Sequence, residues 1–329
     1  MISLGNKNIL VTGGAGFVGA NLVRTLVEKY GANVTVLDDL FNSTEENLVG
    51  IDHQFILGSV EDKSVVSECV KGKDIVFHLA ARNILVCNHH PRKDLSVNVV
   101  GTYNVLEACL EHNVKRVVYS STSSVYGNAQ KLPIKEGDEK SFLNFYSASK
   151  YTAEVYCKTF FEVFELPVTV LRYSNIYGPY QTPTNPYCGV IGKFINNALA
   201  GLPLKIYGDG HQTRDYTYVD DAIEATIGAA VNPQAIGQDY NIGTGIQTSV
   251  NDLAKAIVSL TNSPSAIEHV DARDIDNIQH RCIDITKAKK ELHFQPSFTV
   301  QKGLHSTVHW FLQSLTKAGA FAIANLFVA

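Results

Sequence analysis

The stretch NILVTGGAGFVGANLVRTL, residues 8–26, constrains the fold more than any other part of the sequence. It places glycines at 13, 14, 16 and 19 between an apolar run rich in β-formers and an apolar helical run. A tight turn without side chains brings backbone N–H groups and the positive end of a helix close to phosphate groups. The stretch therefore predicts a strand, a phosphate-binding turn and a helix.

An acidic residue supports a dinucleotide as the ligand of this turn. Asp38 ends the run NVTVLD, 19 residues beyond Gly19, where a carboxylate can accept both hydroxyls of an adenosine ribose. No arginine follows Asp38 closely to pair a 2'-phosphate, so NAD is favoured over NADP. The alternative is a plain glycine turn with Asp38 as a cap. Asp39, Asn42 and Ser43 are either further adenosine contacts or turn formers.

The first half of the chain alternates short β-rich runs with amphipathic stretches, which is typical of βαβ crossovers. We predict an α/β fold with a doubly wound parallel sheet of the Rossmann type and a smaller α/β substrate-binding C-terminal part. The expected domains are an NAD-binding domain over residues 1–173, to which 216–243 returns, and a mostly substrate-binding domain over 174–329. Ligands of such sheets bind at the carboxyl edge of the strands.

Composition points to a small-molecule partner. The 329 residues carry a net charge of −4 and no long basic run, which disfavours nucleic acid and membrane surfaces. Six cysteines without a CxxC pair predict reduced thiols, no metal site and a cytoplasmic protein. The N-terminus lacks the pattern of a signal peptide. The apolar tail AGAFAIANLFVA is short of the roughly 20 residues that span a bilayer, so we expect a packed helix there.

FYSASKYTAEVY places Tyr146 and Lys150 on one face of a predicted helix. A neighbouring ammonium and a cationic nicotinamide both favour the phenolate and move the tyrosine pKa toward neutral pH. We therefore expect a proton acceptor beside a hydride acceptor. The alternative for the isolated pair is an ordinary surface contact.

The motifs TGGAGFVG, LDDL, HLAA, NVVGTYNVLEA, SSTSSVYG, YSASK, LRYSNIYGP and RDYTYVDD resemble the extended short-chain dehydrogenases/reductases of the NAD-dependent sugar epimerase/dehydratase family. The resemblance runs from about residue 7 to about residue 312 and is strongest to UDP-hexose 4-epimerases. It implies that Thr122 is a catalytic hydroxyl together with Tyr146 and Lys150. It also implies that NAD is held by the residues already named and by Phe17, Val18, Ser59, Val60, Leu79, Ala80, Ala81, Asn98, Tyr146, Lys150 and Tyr173.

The two residues after Thr122 limit which reaction of this family the chain can catalyse. Family members that eliminate water carry Asp and Glu there, and decarboxylating relatives carry Glu at the second position. This chain has Ser123 and Ser124, which are neither acid nor base near neutral pH. What remains is oxidation at C4, rotation of the 4-keto sugar and return of the hydride, which is the reaction of a 4-epimerase.

At the substrate end, the resemblance implies contacts to the diphosphate from Asn175, Arg214 and Arg273, and a uracil border at Gly189 and Val190. Alternatively Asn175 caps a loop and the arginines form surface ion pairs. Ser123 and Ser124 are expected beside the sugar. The loop GPYQTPTNPYCG carries no cation for a uronate, which favours a neutral hexose or N-acetylhexosamine.

Arg82 and two departures from the family's sequence motifs qualify this interpretation, and several functions stay open. Arg82 lies just past a strand end, where it either reaches a sugar carboxylate or phosphate or is solvated. Ser59 and Val60 replace the usual acid near adenine, and RDIDNIQHRC is one residue longer than usual. The alternatives are a UDP-glucuronate 4-epimerase, a 4-keto reductase or a non-catalytic NAD-sensing protein. Helices over 91–112 and 147–164 are expected to form a homodimer interface, as in relatives.

Overall fold

The computed structural model describes residues 3–181, 189–272 and 278–326, with side chains described to Ser314. Seven strands form one sheet in the order β3-β2-β1-β4-β5-β6-β11, in which all neighbours are parallel. The strands along the chain are β1 (Asn8–Thr12), β2 (Asn33–Asp38), β3 (Gln54–Leu57), β4 (Ile75–His78), β5 (Arg116–Thr122), β6 (Val168–Tyr173), β7 (Asn175–Tyr177), β8 (Leu204–Tyr207), β9 (Thr213–Arg214), β10 (Tyr216–Tyr218), β11 (Asp239–Ile242), β12 (Thr248–Ser249) and β13 (Ile267–Val270).

The α-helices connect these strands and cover the sheet. They are α1 (Phe17–Glu28), α2 (Lys63–Val70), α3 (Ile84–His89), α4 (Pro91–Asp94), α5 (Thr102–Glu111), α6 (Phe145–Phe164), α7 (Val190–Leu199), α8 (Val219–Val231), α9 (Val250–Thr261), α10 (Thr286–Glu291) and α11 (Val300–Leu326). A π-helical stretch, Leu95–Gly101, joins α4 to α5, so the predicted helix over 91–112 is continuous but irregular. The last helix, α11, extends to Leu326 and so includes much of the apolar tail for which a helix was expected.

Alternate side chains of each strand enter two separate cores, as the period of a β-strand requires. Ile9 and Val11 of β1 pack in the core that also contains residues of α1 and α8. Leu10 packs in the opposite core, with residues of α2, α5 and α6. The doubly wound α/β fold predicted from the alternation is therefore confirmed.

The strand order fixes where a ligand can enter. From β1 the chain winds outward to β2 and β3, and from β4 it winds the other way to β5 and β6. The connections after β1 and β4 therefore diverge and leave a crevice at the carboxyl edge. The glycine turn follows β1 and residues 79–83 follow β4, so both border this crevice.

The smaller part of the structure is built from short strand pairs and helices. β7 pairs with β10, β8 with β13 and β9 with β12. Within the described residues, no helix is long and apolar enough to cross a membrane. The five described cysteines, Cys69, Cys87, Cys109, Cys157 and Cys282, are buried and free, and Cys188 lies outside the described residues.

Candidate active site

The glycine turn packs directly against the loop after β4. Gly13 has φ +72, and a Cβ there would lie 2.7 Å from the backbone nitrogen of Ala80. A Cβ on Gly19 would lie 2.1 Å from the Gly13 carbonyl oxygen. No side chain among the described residues caps the start of α1 at Gly16. The first N–H groups of α1 are thus open toward the cleft, where phosphate oxygens can accept from them.

Asp38 presents a fixed carboxylate at the next strand end. Its Oδ2 accepts from the Ala15 amide at 2.9 Å, and its Oδ1 accepts from the Leu40 amide and the Ser43 hydroxyl, each at 2.9 Å. These donors hold the ionised oxygen atoms in place beside the glycine turn. A carboxylate in this position can accept from ribose hydroxyls, and it repels a 2'-phosphate.

The cleft at this edge collects most of the residues predicted for the cofactor. Ser120, near the end of β5, lies on the wall of this cleft. The predicted residues on its wall are Gly13, Gly16, Phe17, Val18, Asp38, Asp39, Asn42, Ser43, Val60, Leu79, Ala80 and Ala81.

Three residues that were predicted to bind the cofactor form side-chain hydrogen bonds with other residues of the protein. The Ser59 hydroxyl donates to Glu61 Oε2 at 3.0 Å. The Asn98 amide group bonds the backbone of Arg82, and the Tyr173 hydroxyl lies 2.6 Å from Thr226 Oγ1. The Asn98 and Tyr173 side chains therefore fix the surroundings of the cleft, and neither is among the cleft-lining residues.

The structure decides one of the two expectations for the Arg82 side chain, because it is not solvated. Its side chain is buried, with 6% exposed, and it forms an ion pair with Asp39. Its guanidinium carbon lies 4.2 Å from the centroid of the Phe41 ring. The solvated alternative is wrong, because the carboxylate and the ring together provide a buried site for the guanidinium. Arg82 lines the cofactor cleft.

The predicted catalytic residues meet at the ends of β5 and α6. Thr122 ends β5 and its Oγ1 accepts from the Ser124 amide at 3.1 Å. Asn144 caps α6 by accepting from the Ser147 amide at 2.9 Å. This places Tyr146 in the first turn of α6, where the Thr122 side chain is close enough to act against the burial that raises the pKa of its hydroxyl. Lys150 follows one turn later and is 2% exposed.

Burial dominates the protonation of this group of residues. It raises the pKa of Tyr146 to about 12 and lowers the pKa of Lys150 to about 8, because both charged forms lose hydration. Without the cofactor, the pKa of Tyr146 therefore does not fall toward neutral pH, contrary to the effect expected from Lys150. Lys150 Nζ lies 4.3 Å from the centroid of the Tyr119 ring, which stabilises the ammonium.

The hydroxyl run divides into structural and cleft-facing members. Ser121 is buried and donates to Glu154, whose Oε2 also accepts from Arg172 Nε at 3.0 Å. Ser123 is buried and Ser124 is half-buried. Ser121 therefore ties β5 to α6.

Sequence reasoning missed one carboxylate near the tyrosine. Asp94 is buried, and its Oδ1 accepts from Ser149 Oγ at 2.6 Å and from Asn98 Nδ2 at 2.7 Å. Its charge contributes to the raised pKa of Tyr146. The sequence HPRKDLSVN gave no signal for it, because an Asp in a charged stretch is typical of a solvated turn.

The substrate end contains buried polar atoms with no partner. Asn175 and Tyr216 are register partners on β7 and β10. Within the described residues, Asn175 Oδ1, the Tyr216 hydroxyl and Gln181 Oε1 are buried and accept or donate no hydrogen bond. Such atoms are costly unless a ligand satisfies them. Gln181 and Tyr216 were not predicted, although Tyr216 lies within the motif RDYTYVDD.

Of the other residues predicted at the substrate end, the structure describes Gly189, Val190 and Arg214. Arg214 is 9% exposed, and its Nη1 donates to the carbonyls of Thr213 and Ile278 at 2.9 and 2.8 Å. Gly189 precedes α7, which begins at Val190. Arg273 lies outside the described residues.

Comparison with known proteins identifies relatives along almost the whole chain. The profile of the NAD dependent epimerase/dehydratase family matches residues 9–243. A UDP-N-acetyl-alpha-D-glucosaminuronate decarboxylase from Bacillus cytotoxicus is 39% identical, over 93% of this chain and 98% of that protein. A UDP-glucose 4-epimerase from Mycolicibacterium smegmatis is 34% identical, over 92% of this chain and 97% of that protein.

A solved structure shares the same fold. It is a UDP-glucose 4-epimerase from Thermotoga maritima, determined with UDP-glucose. The two structures align with a TM-score of 0.89 and 35% identity, over 94% of this chain and 99% of the other.

Proposed function

The chain belongs to the NAD dependent epimerase/dehydratase family, and we propose that it is an isomerase, an NAD-dependent 4-epimerase of UDP-hexoses. The sugar is glucose or galactose, or the corresponding N-acetylhexosamine pair. The observation that carries this proposal is that Tyr146 lies near Thr122 and one helical turn before buried Lys150, while two serines follow Thr122 in place of carboxylates.

The cleft fits NAD by its chemistry. The open N–H groups of α1 suit a pyrophosphate, and the fixed Asp38 carboxylate suits an adenosine ribose. NAD held in this cleft would supply the hydride acceptor for C4 of the sugar and, once reduced, the hydride donor. We propose that the residues of the cleft wall hold the cofactor, and that Asn98 and Tyr173 act by fixing the wall.

Tyr146 is the proton acceptor in this proposal. Its phenolate oxygen, near the Thr122 side chain, takes the proton of the sugar C4 hydroxyl as the 4-keto sugar forms, and the resulting phenol gives the proton back after the sugar has rotated. The pKa of about 12 in the chain alone means that further positive charge has to lower it. The nicotinamide ring and the Lys150 ammonium supply this charge in the complex.

The substrate is held at the other side of the cleft. We propose that Asn175, Gln181 and Tyr216 give their unpartnered polar atoms to the nucleotide sugar. Arg214 and Arg273 neutralise the diphosphate, Gly189 and Val190 border the base, and Ser123 and Ser124 lie beside the sugar. We further propose the division expected from the sequence, an NAD-binding part over 1–173 to which 216–243 returns and a mostly substrate-binding part over 174–329. The position of β11 in the main sheet supports this return of the chain.

A decarboxylase of a uronate is the second candidate. It is favoured by the 39% identity to a UDP-N-acetyl-alpha-D-glucosaminuronate decarboxylase, and its chemistry also begins with oxidation at C4. Ser124 disfavours a decarboxylase, because the resemblance to the family implies Glu at this position in its decarboxylating members. Release of carbon dioxide distinguishes it from an epimerase.

We also propose that the protein is a cytoplasmic homodimer. Free, buried cysteines suit a reducing compartment. The adjacent helices α5 and α6, with the π-helical stretch, expose large apolar side chains: Leu95, Val100, Tyr103, Val155, Tyr156, Val163 and Phe164. A second copy of the chain would bury this surface in a four-helix interface.

The test is to incubate the protein and catalytic NAD separately with UDP-glucose, UDP-N-acetylglucosamine, UDP-glucuronate and UDP-N-acetylglucosaminuronate. The proton spectrum of each sugar is then followed over time. The proposal expects a C4 epimer from one of the first two, without stoichiometric use of reduced cofactor. An epimer from glucuronate alone would identify the uronate epimerase, and release of carbon dioxide the decarboxylase. Conversion that stops once the catalytic NAD has been reduced to NADH would identify the reductase acting in the oxidative direction, and no reaction would identify the non-catalytic protein.

A further inference from the structure

Two loops meet above the glycine turn. Asp39 directly follows β2 and Arg82 follows β4, and β1 lies between these two strands in the sheet. A contact from Arg82 to Asp39 therefore passes across the carboxyl end of β1. This is the end from which the glycine turn enters α1.

The contact between the loops is a two-point ion pair. Arg82 Nη1 donates to Asp39 Oδ1 at 3.2 Å, and Nη2 donates to Oδ2. Phe41, two residues after Asp39, lies under the guanidinium. The planar guanidinium thus has a carboxylate at its edge and a ring at its face, an arrangement that lysine could not reproduce.

One side of this contact is anchored to the catalytic region. The Arg82 amide donates to Asn98 Oδ1 at 2.7 Å, and Asn98 Nδ2 donates back to the Arg82 carbonyl at 3.1 Å. The same Nδ2 lies 3.2 Å from Ser149 Oγ, on the helix that carries Tyr146 and Lys150. The other side, at Phe41, is 47% exposed. The loop with Arg82 is therefore fixed, and the loop with Asp39 and Phe41 is the one able to open.

Arg82 keeps one polar group without a partner. Its Nε is buried and, among the described residues, bonds to nothing. The residue lines the cofactor cleft together with Asp39. A buried donor on the wall of a dinucleotide cleft suits an oxygen atom of the bound cofactor.

We propose that Arg82 and Asp39 form a clasp that keeps NAD in the cleft between the two hydride transfers. The inference rests on the proposed function, in which reduced cofactor must stay bound while the 4-keto sugar rotates. Asp39 acts in it by holding Arg82. The cofactor leaves only after the ion pair has opened.

The experiment measures the release of NADH by stopped-flow fluorescence, with excess NAD as the trap. Wild type, Arg82→Gln, Asp39→Asn and the double variant are compared. Arg92→Gln, a change at an exposed arginine of α4, is the matched control. Thermal unfolding of each protein establishes that it is folded.

The clasp predicts that both single variants release NADH at least about tenfold faster, because the loss of one partner from a buried charge pair acts mainly on dissociation. The double variant should match the singles, association should change little, and Arg92→Gln should behave as wild type. If Asp39→Asn leaves release unchanged or slows it, Arg82 contacts the cofactor alone and the clasp is wrong. A wild type that binds no NADH would refute the proposed function itself, and the clasp with it.

Discussion

Replacement of Gly19 by alanine tests the glycine turn at its tightest point. The new Cβ would lie 2.1 Å from the Gly13 carbonyl oxygen and 2.7 Å from the Gly14 Cα. Both neighbours are backbone atoms, so no side chain can rotate away. The start of α1 must therefore move from the turn by roughly 1 Å, and overpacking of this kind costs about 1–3 kcal/mol of stability.

The same displacement should weaken cofactor binding more than it weakens the fold. The N–H groups of α1 would no longer converge with those of the turn, and a misplacement of about 1 Å can cost on the order of a hundredfold. We expect NADH affinity, measured by fluorescence titration, to fall by about that factor. Urea unfolding should show a loss of about 1–3 kcal/mol.

Gly137→Ala is the matched control for this change. A Cβ at Gly137 meets nothing within 4 Å, and the residue lies in an exposed turn. Its affinity for NADH should equal that of wild type. Equal affinity in Gly19→Ala as well would refute the view that this turn holds the cofactor.

Three further predictions concern catalysis, pH and assembly. Tyr146→Phe should lower turnover by about 10²–10⁴-fold and leave NADH affinity intact, because only the proton acceptor is lost; undiminished turnover would contradict the mechanism. The folded-state pKa of Lys150, about 8, lies below its ordinary 10.5, so between pH 8 and 10 the unfolded chain holds more of this proton. The free energy of unfolding of the protein without cofactor should therefore rise over that interval by about 2 kcal/mol more than in Lys150→Met; urea unfolding at both pH values checks this, and equal slopes would refute it. Val163→Glu, on the exposed apolar face of α6, should give a monomer in sedimentation equilibrium, whereas Val49→Glu, at an exposed valine elsewhere, should not; a wild-type monomer at micromolar concentration would overturn the dimer.

The sequence predicted those features that depend on local pattern. The alternation of strands and helices, the glycine turn and the acid at the end of β2 are each encoded within about 30 residues, because periodicity and turn chemistry are local. Placing Thr122 beside Tyr146 needed the resemblance to a family. The two side chains lie close together in the structure although 24 positions separate them.

Features that depend on distant residues were not predictable in this way. Asp94 looked like a surface residue, and only the packing of α6 against the π-helical stretch buries it. Arg82 finds its partner 43 residues away on another loop. The pKa of Tyr146 was expected to fall, but the burial that raises it becomes evident only once the strands and helices are assembled.

The most direct test of transient oxidation at C4 is to follow the hydrogen atom on C4 of the sugar. UDP-glucose and UDP-N-acetylglucosamine, each with deuterium at C4, are incubated with the protein and catalytic NAD in ordinary water. Transient oxidation at C4 with return of the same hydride predicts a C4 epimer, from one of the two sugars, that retains the deuterium, with no net change in NADH absorbance. An epimer that has exchanged deuterium for solvent hydrogen, or a failure to epimerise either sugar, would contradict the account.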